Sequence, residues 1–240
     1  MTVIVIGSSS GIGFGLAHSF LQEGRKVLGV SRSSPEDLIE HSNYIHLNID
    51  ITSSSCRSSF SSLLRQHLVD QSCLDIPISI IFMAGTNLVK PFSEYTHQEI
   101  ESLFGLNLLS SIHVTQTLLE VLKGSLRLNF IYASSIWSSQ SAPYRAIYGA
   151  SKAAINSFVR HMSAEFLDES VFFYALQLGF VDTALTRRTI SDPIIQSRMS
   201  RLGQSSFVGI SDIYNTVKLL ETTTALKGST IDLCNSFVSL

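Results

Sequence analysis

The sequence predicts a doubly wound parallel α/β sheet, and three observations carry that expectation. Thr2-Val3-Ile4-Val5-Ile6 is an unbroken β-branched run of the kind buried on both faces of a parallel sheet. It leads straight into glycines at 7, 11 and 13, followed by apolar residues at Ile12, Leu16, Phe20 and Leu21 at roughly helical spacing. Strand and helix patterns then alternate along the remaining chain, which implies parallel pairing through right-handed crossovers. Ligands of such sheets bind beyond the carboxyl ends of the strands.

Taken in order, Lys26 to Val30 reads as the second strand and completes a βαβ unit. Strand-like Tyr44 to Ile49, a helical stretch from Ser53 to Val69 and the apolar run Ile76 to Met83 follow. Leu126 to Ala133 and Val171 to Leu178 are the next strands, accompanied by two long helical patterns, Thr96 to Leu122 and Ala146 to Leu167. The helix Ile213 to Leu220 and the strand Ser229 to Cys234 come last. With 240 residues and no long polar linker, one domain is expected over 1–240.

A formal net charge of -2 offers no basic field, so nucleic acid is not expected as a partner. Cys56, Cys73 and Cys234 are scattered and odd in number, forming neither a zinc set nor a disulfide framework, so no metal is expected and a cytoplasmic location fits. No stretch reaches about 18 apolar residues and no basic leader precedes Met1 to Ile6, so neither membrane insertion nor secretion is expected.

Between the first strand and first helix, Gly7-Ser8-Ser9-Ser10-Gly11-Ile12-Gly13 places backbone amides and a helix N-terminus where a pyrophosphate can sit. The glycines allow the tight turn, close approach of a ligand and close helix packing; the competing reading is an ordinary glycine-rich turn. The strand, loop and helix context favours a Rossmann dinucleotide site. No acidic residue ends the second strand; Val30-Ser31-Arg32-Ser33 instead offers a guanidinium and hydroxyls suited to a 2′-phosphate. NADP(H) is therefore preferred and NAD(H) possible, against the alternative of a solvated surface Arg32. Asp50 either accepts from the adenine amino group or caps a helix.

Tyr148 and Lys152 stand at i and i+4 near a helix start, with Cβ atoms roughly 6 Å apart on one face. A phenol with a pKa of about 10 costs about 4 kcal/mol to ionise at pH 7, so a neighbouring cation would let it carry protons. The pair alone is weak, since most such pairs are surface contacts. Ser135, thirteen residues earlier at a strand end, and Asn107 in the preceding long helix strengthen it.

Together with the glycine loop, this sequence resembles the short-chain dehydrogenase/reductase family in its one-domain form. The resemblance runs through Asp50, Ala84-Gly85, Asn107, Ser135, Tyr148, Lys152 and Gly179-Phe-Val-Asp-Thr183, in the family's order over nearly the whole chain. It implies that Tyr148 exchanges a proton with the substrate oxygen while the nicotinamide exchanges hydride with its carbon. Lys152 would hold the nicotinamide ribose and stabilise tyrosinate, Ser135 would bond the substrate oxygen, and Asn107 would support a relay water. The cofactor would touch Gly7, Ser9, Ser10, Gly11, Ile12, Gly13, Ser31, Arg32, Asp50, Ile51, Ala84, Gly85, Tyr148, Lys152, Val181 and Thr183. The substrate would be a small carbonyl or alcohol, and the two long helices would form a homodimer or homotetramer.

Departures from the family pattern are visible. Ile6 replaces a usual Thr, and Phe82-Met83-Ala84-Gly85 replaces Asn-Asn-Ala-Gly, so two positions expected to touch are both apolar, which reads as a compensated core change. Leu178 replaces a Pro and is expected to loosen the strand end; Asp232-Leu-Cys-Asn-Ser236 lacks the common Asp-Gly-Gly. Residues 136–145 and a lid at 184–207 should border the substrate, where Arg187, Arg188, Arg198 and Arg201 either meet an acidic group or form a solvated basic helix. A non-catalytic NADP(H)-binding regulator is the rival reading; loss of Tyr148 or Lys152 would favour it, and both are present.

Overall fold

The computed structural model describes residues 2–53, 56–69, 77–167, 170–189, 192–201, 203–204 and 206–234, with the backbone alone at 56–58, 69, 189, 192 and 198. Its strands are β1 (Thr2–Ile6), β2 (Lys26–Ser31), β3 (Tyr44–Asn48), β4 (Ile78–Phe82), β5 (Leu128–Ser135), β6 (Val171–Leu178) and β7 (Thr230–Leu233). All pair in parallel, in the order β3-β2-β1-β4-β5-β6-β7. The chain thus winds outward from β1 to β3, then returns to lay β4 against the other edge of β1. A crevice opens beyond the carboxyl ends of β1 and β4, where the winding reverses.

The helices are α1 (Gly11–Gln22), α2 (Glu36–Ile39), α3 (Cys56–Leu64), α4 (His97–Phe104), α5 (Ser110–Val121), α6 (Ala146–Glu165), α7 (Ala184–Thr189), α8 (Asp192–Arg201) and α9 (Ile210–Thr222). Alternation along β1 decides which helices go where. Ile4 and Ile6 point into one apolar layer with Phe60 and Leu64 of α3, Val114 and Leu118 of α5, and Ile155 and Val159 of α6. Val3 and Val5 point into the opposite layer, closed by Leu16 and Phe20 of α1 and Ile213, Val217 and Leu220 of α9. Both faces are covered, so every strand but the short last one is apolar through most of its length. An ion pair ties the second layer down: Arg25, 7% exposed, donates to both oxygens of Glu221 at 2.9 and 2.7 Å, and Ser79 Oγ donates to the same carboxylate at 2.7 Å. Among the described residues no helix is long and apolar enough to cross a membrane.

Two expectations about the sheet need correction. The side chains of Ile6 and Met83 do not face one another, because Ile6 is in register with Phe82 and residue 83 lies one step further, on the opposite face. Their link is the backbone: the amides of Met83 and Ala84 both donate to the Ile6 carbonyl, at 2.8 and 3.0 Å. Nor is the end of β6 loosened at Leu178, which is paired with Ser135 on one side and Leu233 on the other and is followed by a 2.8 Å bond from Gly179 N to the Leu233 carbonyl. The pattern expected as one helix from Thr96 to Leu122 is continuous but changes pitch: Gly105–Leu109 forms a π-turn between α4 and α5. Helix α2 had no sequence-stretch assigned to it, being a single turn after Pro35.

Candidate active site and nucleotide cavity

Beyond β1 and β4 lies a cavity of about 380 Å³, within the usual size range of ligand sites. Of the predicted nucleotide contacts, Gly7, Ser9, Ser10, Gly11, Ile12, Ser31, Arg32, Asp50, Ile51, Ala84, Gly85 and Thr183 line it. Val181, Tyr148 and Lys152 line a smaller adjoining cavity of about 120 Å³ together with Ser135. Gly13 is a correction: it lines neither, and sits behind the loop where a Cβ would collide with the Gly7 carbonyl, so its absence of side chain serves helix packing.

A feature of the loop that sequence reading missed is its support from behind. Ser8, fully buried, bonds the Tyr44 hydroxyl at 3.1 Å, which in turn bonds His46 Nδ1 at 3.0 Å. That hydroxyl occupies the space a Cβ at Gly29 would need. The signal was present as a glycine inside an otherwise apolar strand, which marks close approach of another group. Asp50 turns back on the chain just after it. Its Oδ1 accepts from Thr52 N at 2.9 Å and from Thr52 Oγ1 at 2.6 Å, and these bonds, helped by Arg32, hold its carboxyl below the usual carboxylate range.

The 3₁₀ turn Ile136–Ser138 follows β5, and Ser135 caps it, its Oγ accepting from Trp137 N at 3.3 Å. Ser135 and the half-buried Tyr148 line the same cavity. Burial pushes the phenol above its ordinary pKa, opposed by the neighbouring Ser135 hydroxyl and by the charge of Arg145. Lys152, 5% exposed, donates to the Ala133 carbonyl at 2.8 Å, with Nζ 5.9 Å from the Tyr148 ring centroid; burial draws its ammonium down to about 8. Ser134 is backbone support, donating to the Lys152 carbonyl at 3.3 Å.

Asn107 lies in the π-turn, a device that widens one helical turn and recurs at functional sites. Its side chain grips the β4 loop reciprocally: Oδ1 accepts from Thr86 N at 2.8 Å and Nδ2 donates to the Thr86 carbonyl at 3.0 Å. Nδ2 also donates to Ser151 Oγ at 3.1 Å, and Ser151 donates to the Tyr148 carbonyl at 2.7 Å. Asn107 therefore couples the floor of the nucleotide cavity to the turn that carries Tyr148. Ser151, unremarked in the sequence, completes that link.

Against Tyr148 packs a third apolar cluster: Ile136, Trp137, Phe180, Ile195, Met199 and Cys234, with Ala142 and Phe207 at its margin. Trp137 and Phe180 meet edge to face at 6.1 Å, so these aromatics pack as expected. Tyr144, 52% exposed just before α6, takes φ +66°, the one non-glycine in that region among the described residues. Of the four arginines expected near a substrate, Arg187 is bound to Asp182 at 2.7 and 2.9 Å and is corrected to an ion-pair residue. Arg188 lines the nucleotide cavity, Arg201 is exposed, and the side chain of Arg198 falls outside the described residues, as do Asn235 and Ser236.

The cavities fit a nicotinamide dinucleotide: amides of a glycine loop for the diphosphate, hydroxyls and a guanidinium at one end, and a phenol, hydroxyl and ammonium at the other. Comparison agrees with that geometry. The family model for the short chain dehydrogenase matches residues 1–193. A tropinone reductase homolog of Arabidopsis thaliana is 26% identical over 220 residues, covering 87% of this chain and 80% of its own. An uncharacterized oxidoreductase of Staphylococcus epidermidis is 25% identical over 188 residues, covering 78% and 80%. Among solved structures, ElxO with NADP bound superposes with a TM-score of 0.83 at 19% identity over 97% of this chain and 96% of its own. 4-Hydroxyisoleucine dehydrogenase complexed with NADH gives 0.87 at 18% identity, over 98% and 97%. The chain belongs to the short-chain dehydrogenase family, and with it to the nicotinamide-dependent oxidoreductases that interconvert CH–OH and C=O groups.

Proposed function

We propose that this protein is a cytoplasmic reductase or dehydrogenase that prefers NADP(H), accepts NAD(H) less well, and uses Tyr148 as its general acid and base on a small carbonyl or alcohol. The observation that carries the reading is the convergence of Ser135, Tyr148 and Lys152 at one cavity that adjoins the glycine-loop cavity. When bound, the nicotinamide supplies or accepts hydride. The chain's own residues do the rest. Ser135 and Tyr148 present two hydroxyls to the substrate oxygen, so negative charge building there in reduction meets a donor pair. The Tyr148 proton passes to that oxygen, and the phenolate left behind is stabilised by Lys152 once its ammonium turns from Ala133 towards the nicotinamide ribose. Asn107 keeps the two halves of the site in register and supports the water that returns the proton.

Arg32, with Ser31 and Ser33, favours the 2′-phosphate; one structural neighbour bound to NADP and another complexed with NADH are in keeping with a preference that is not absolute. The segment 184–207, of which residues 190, 191, 202 and 205 lie outside the described residues, would cap the substrate side, with 136–145 as the facing wall. A homodimer or homotetramer forms through the α4–α5 and α6 faces. Replacement of Tyr148 by Phe tests the chemistry: turnover of a carbonyl substrate, followed as loss of NADPH absorbance, should fall about a hundredfold or more while NADPH affinity stays nearly unchanged. Full activity in that variant would place the proton donor elsewhere, and tight nucleotide binding with no substrate found would favour a regulator.

A further inference from the structure

The two adjacent arginines of α7 face different tasks. Arg187 is held by Asp182 through two bonds, and its guanidinium lies 5.2 Å from the Phe207 ring centroid. Arg188 instead lines the nucleotide cavity. Its Nε donates to the Ala184 carbonyl at 3.3 Å, which keeps the guanidinium folded back along the first turn of α7. Thr183, immediately before that turn, stands over the glycine loop: a Cβ at Gly11 would be 3.7 Å from the Thr183 methyl.

The charge inventory of the cavity gives this placement its meaning. Among the described residues that line it, the cations are Arg32 and Arg188 and the one carboxylate is Asp50. Arg32 follows β2 and Arg188 follows β6, on opposite sides of the central β1–β4 pair, so they cannot serve the same phosphate group. Arg32 sits beside Asp50, at the ribose end. Arg188 shares the cavity with Thr183, whose methyl stands over Gly11, and is held back towards Ala184, the residue after Thr183.

We propose that Arg188 is a ligand of the cofactor's diphosphate, closing from the cap side the cradle that the glycine-loop amides supply from the sheet side. This rests on the nicotinamide-dinucleotide reading above and adds a residue to it. A guanidinium is suited to the task, since it offers two parallel donors to one phosphate. The cap segment is then fastened to the cofactor before any substrate arrives, and Arg188 is withdrawn from substrate recognition.

The test is titration of the intact protein with NADPH and with NADH, followed by nucleotide fluorescence, for the parent chain, Arg188→Ala, Arg188→Lys and Arg32→Ala. Arg188 is exposed and its side chain bonds to its own helix, so its replacement leaves the core untouched. Arg188→Ala should weaken both nucleotides about tenfold, Arg188→Lys should recover part of the loss, and the difference should shrink in about 0.5 M salt. Arg32→Ala should weaken NADPH alone. Affinities in Arg188→Ala within about twofold of the parent's for both nucleotides, with or without a raised substrate KM, would overturn the assignment. A loss confined to NADPH would move Arg188 to the 2′-phosphate and overturn it equally. A parent protein that binds neither nucleotide would instead overturn the cofactor reading itself.

Discussion

Lys152 is the residue at which stability and chemistry conflict. Its ammonium is buried, donates a hydrogen bond to the Ala133 carbonyl, and is drawn from its ordinary 10.5 down to about 8. The folded state therefore binds fewer protons than the unfolded state between those values. The penalty is fully present below pH 8, diminishes as pH rises from 8, and is gone above 10.5. At pH 7 it amounts to about 3 kcal/mol. Lys152→Met removes the charge and leaves the Ala133 carbonyl short of a partner, so a net gain of about 1–3 kcal/mol is expected at pH 7 in the nucleotide-free protein. Urea midpoints measured from pH 7 to pH 10 should show that advantage shrinking as pH rises; an advantage independent of pH would mean the amine carries no burial penalty. The same variant should lose turnover, which is the familiar trade between a stable site and a working one.

At the scale of elements, the backbone of β1 and β4 carries the join that side chains were expected to make. Ile6 and Met83 project into opposite apolar layers, so Ile6→Thr and Met83→Asn should each destabilise for separate reasons. Their double-mutant cycle should close to within about 0.5 kcal/mol; a larger coupling would put the two side chains in contact after all. The order and type of the strands were legible because buried parallel strands are apolar on both faces and glycines punctuate them. The faces were less so: register decides them, and a shift of one residue moves every side chain across the sheet. The π-turn at Gly105–Leu109 was hidden for a related reason, since one wide turn leaves the apolar spacing of α4 and α5 almost undisturbed. Most of the candidate site was legible because Tyr148 with Lys152 and the glycine loop are local motifs. The roles of Arg188 and Ser151 and the Tyr44 support of Ser8 were not, since each acts through residues 3 to 44 positions away or across a cavity only the fold creates.

For the whole molecule, the proposed self-association has a surface to work with. Leu109, 48% exposed, stands on the outer side of the α4–α5 run, and Phe158 of α6 is half-buried rather than enclosed. Light scattering at micromolar concentration should give two or four times the 26.4 kDa chain mass. Leu109→Asp should shift that mass downward, and a parent protein found at the single-chain mass would refute the assembly.

The return of β4 to β1 also sets an order of events in time. Thr2 pairs with Ile78, so during synthesis β1 waits for more than seventy residues before its second neighbour exists. The nucleotide cavity waits longer still, because its floor needs Met83 to Thr86 and its far wall needs Thr183 to Arg188. A nascent chain therefore carries β1 with an edge uncovered until β4 is made, and has no means of capturing the cofactor until Thr183 to Arg188 follow. Protection over that interval has to come from outside these residues, and nucleotide supply can rescue only molecules synthesised past Arg188.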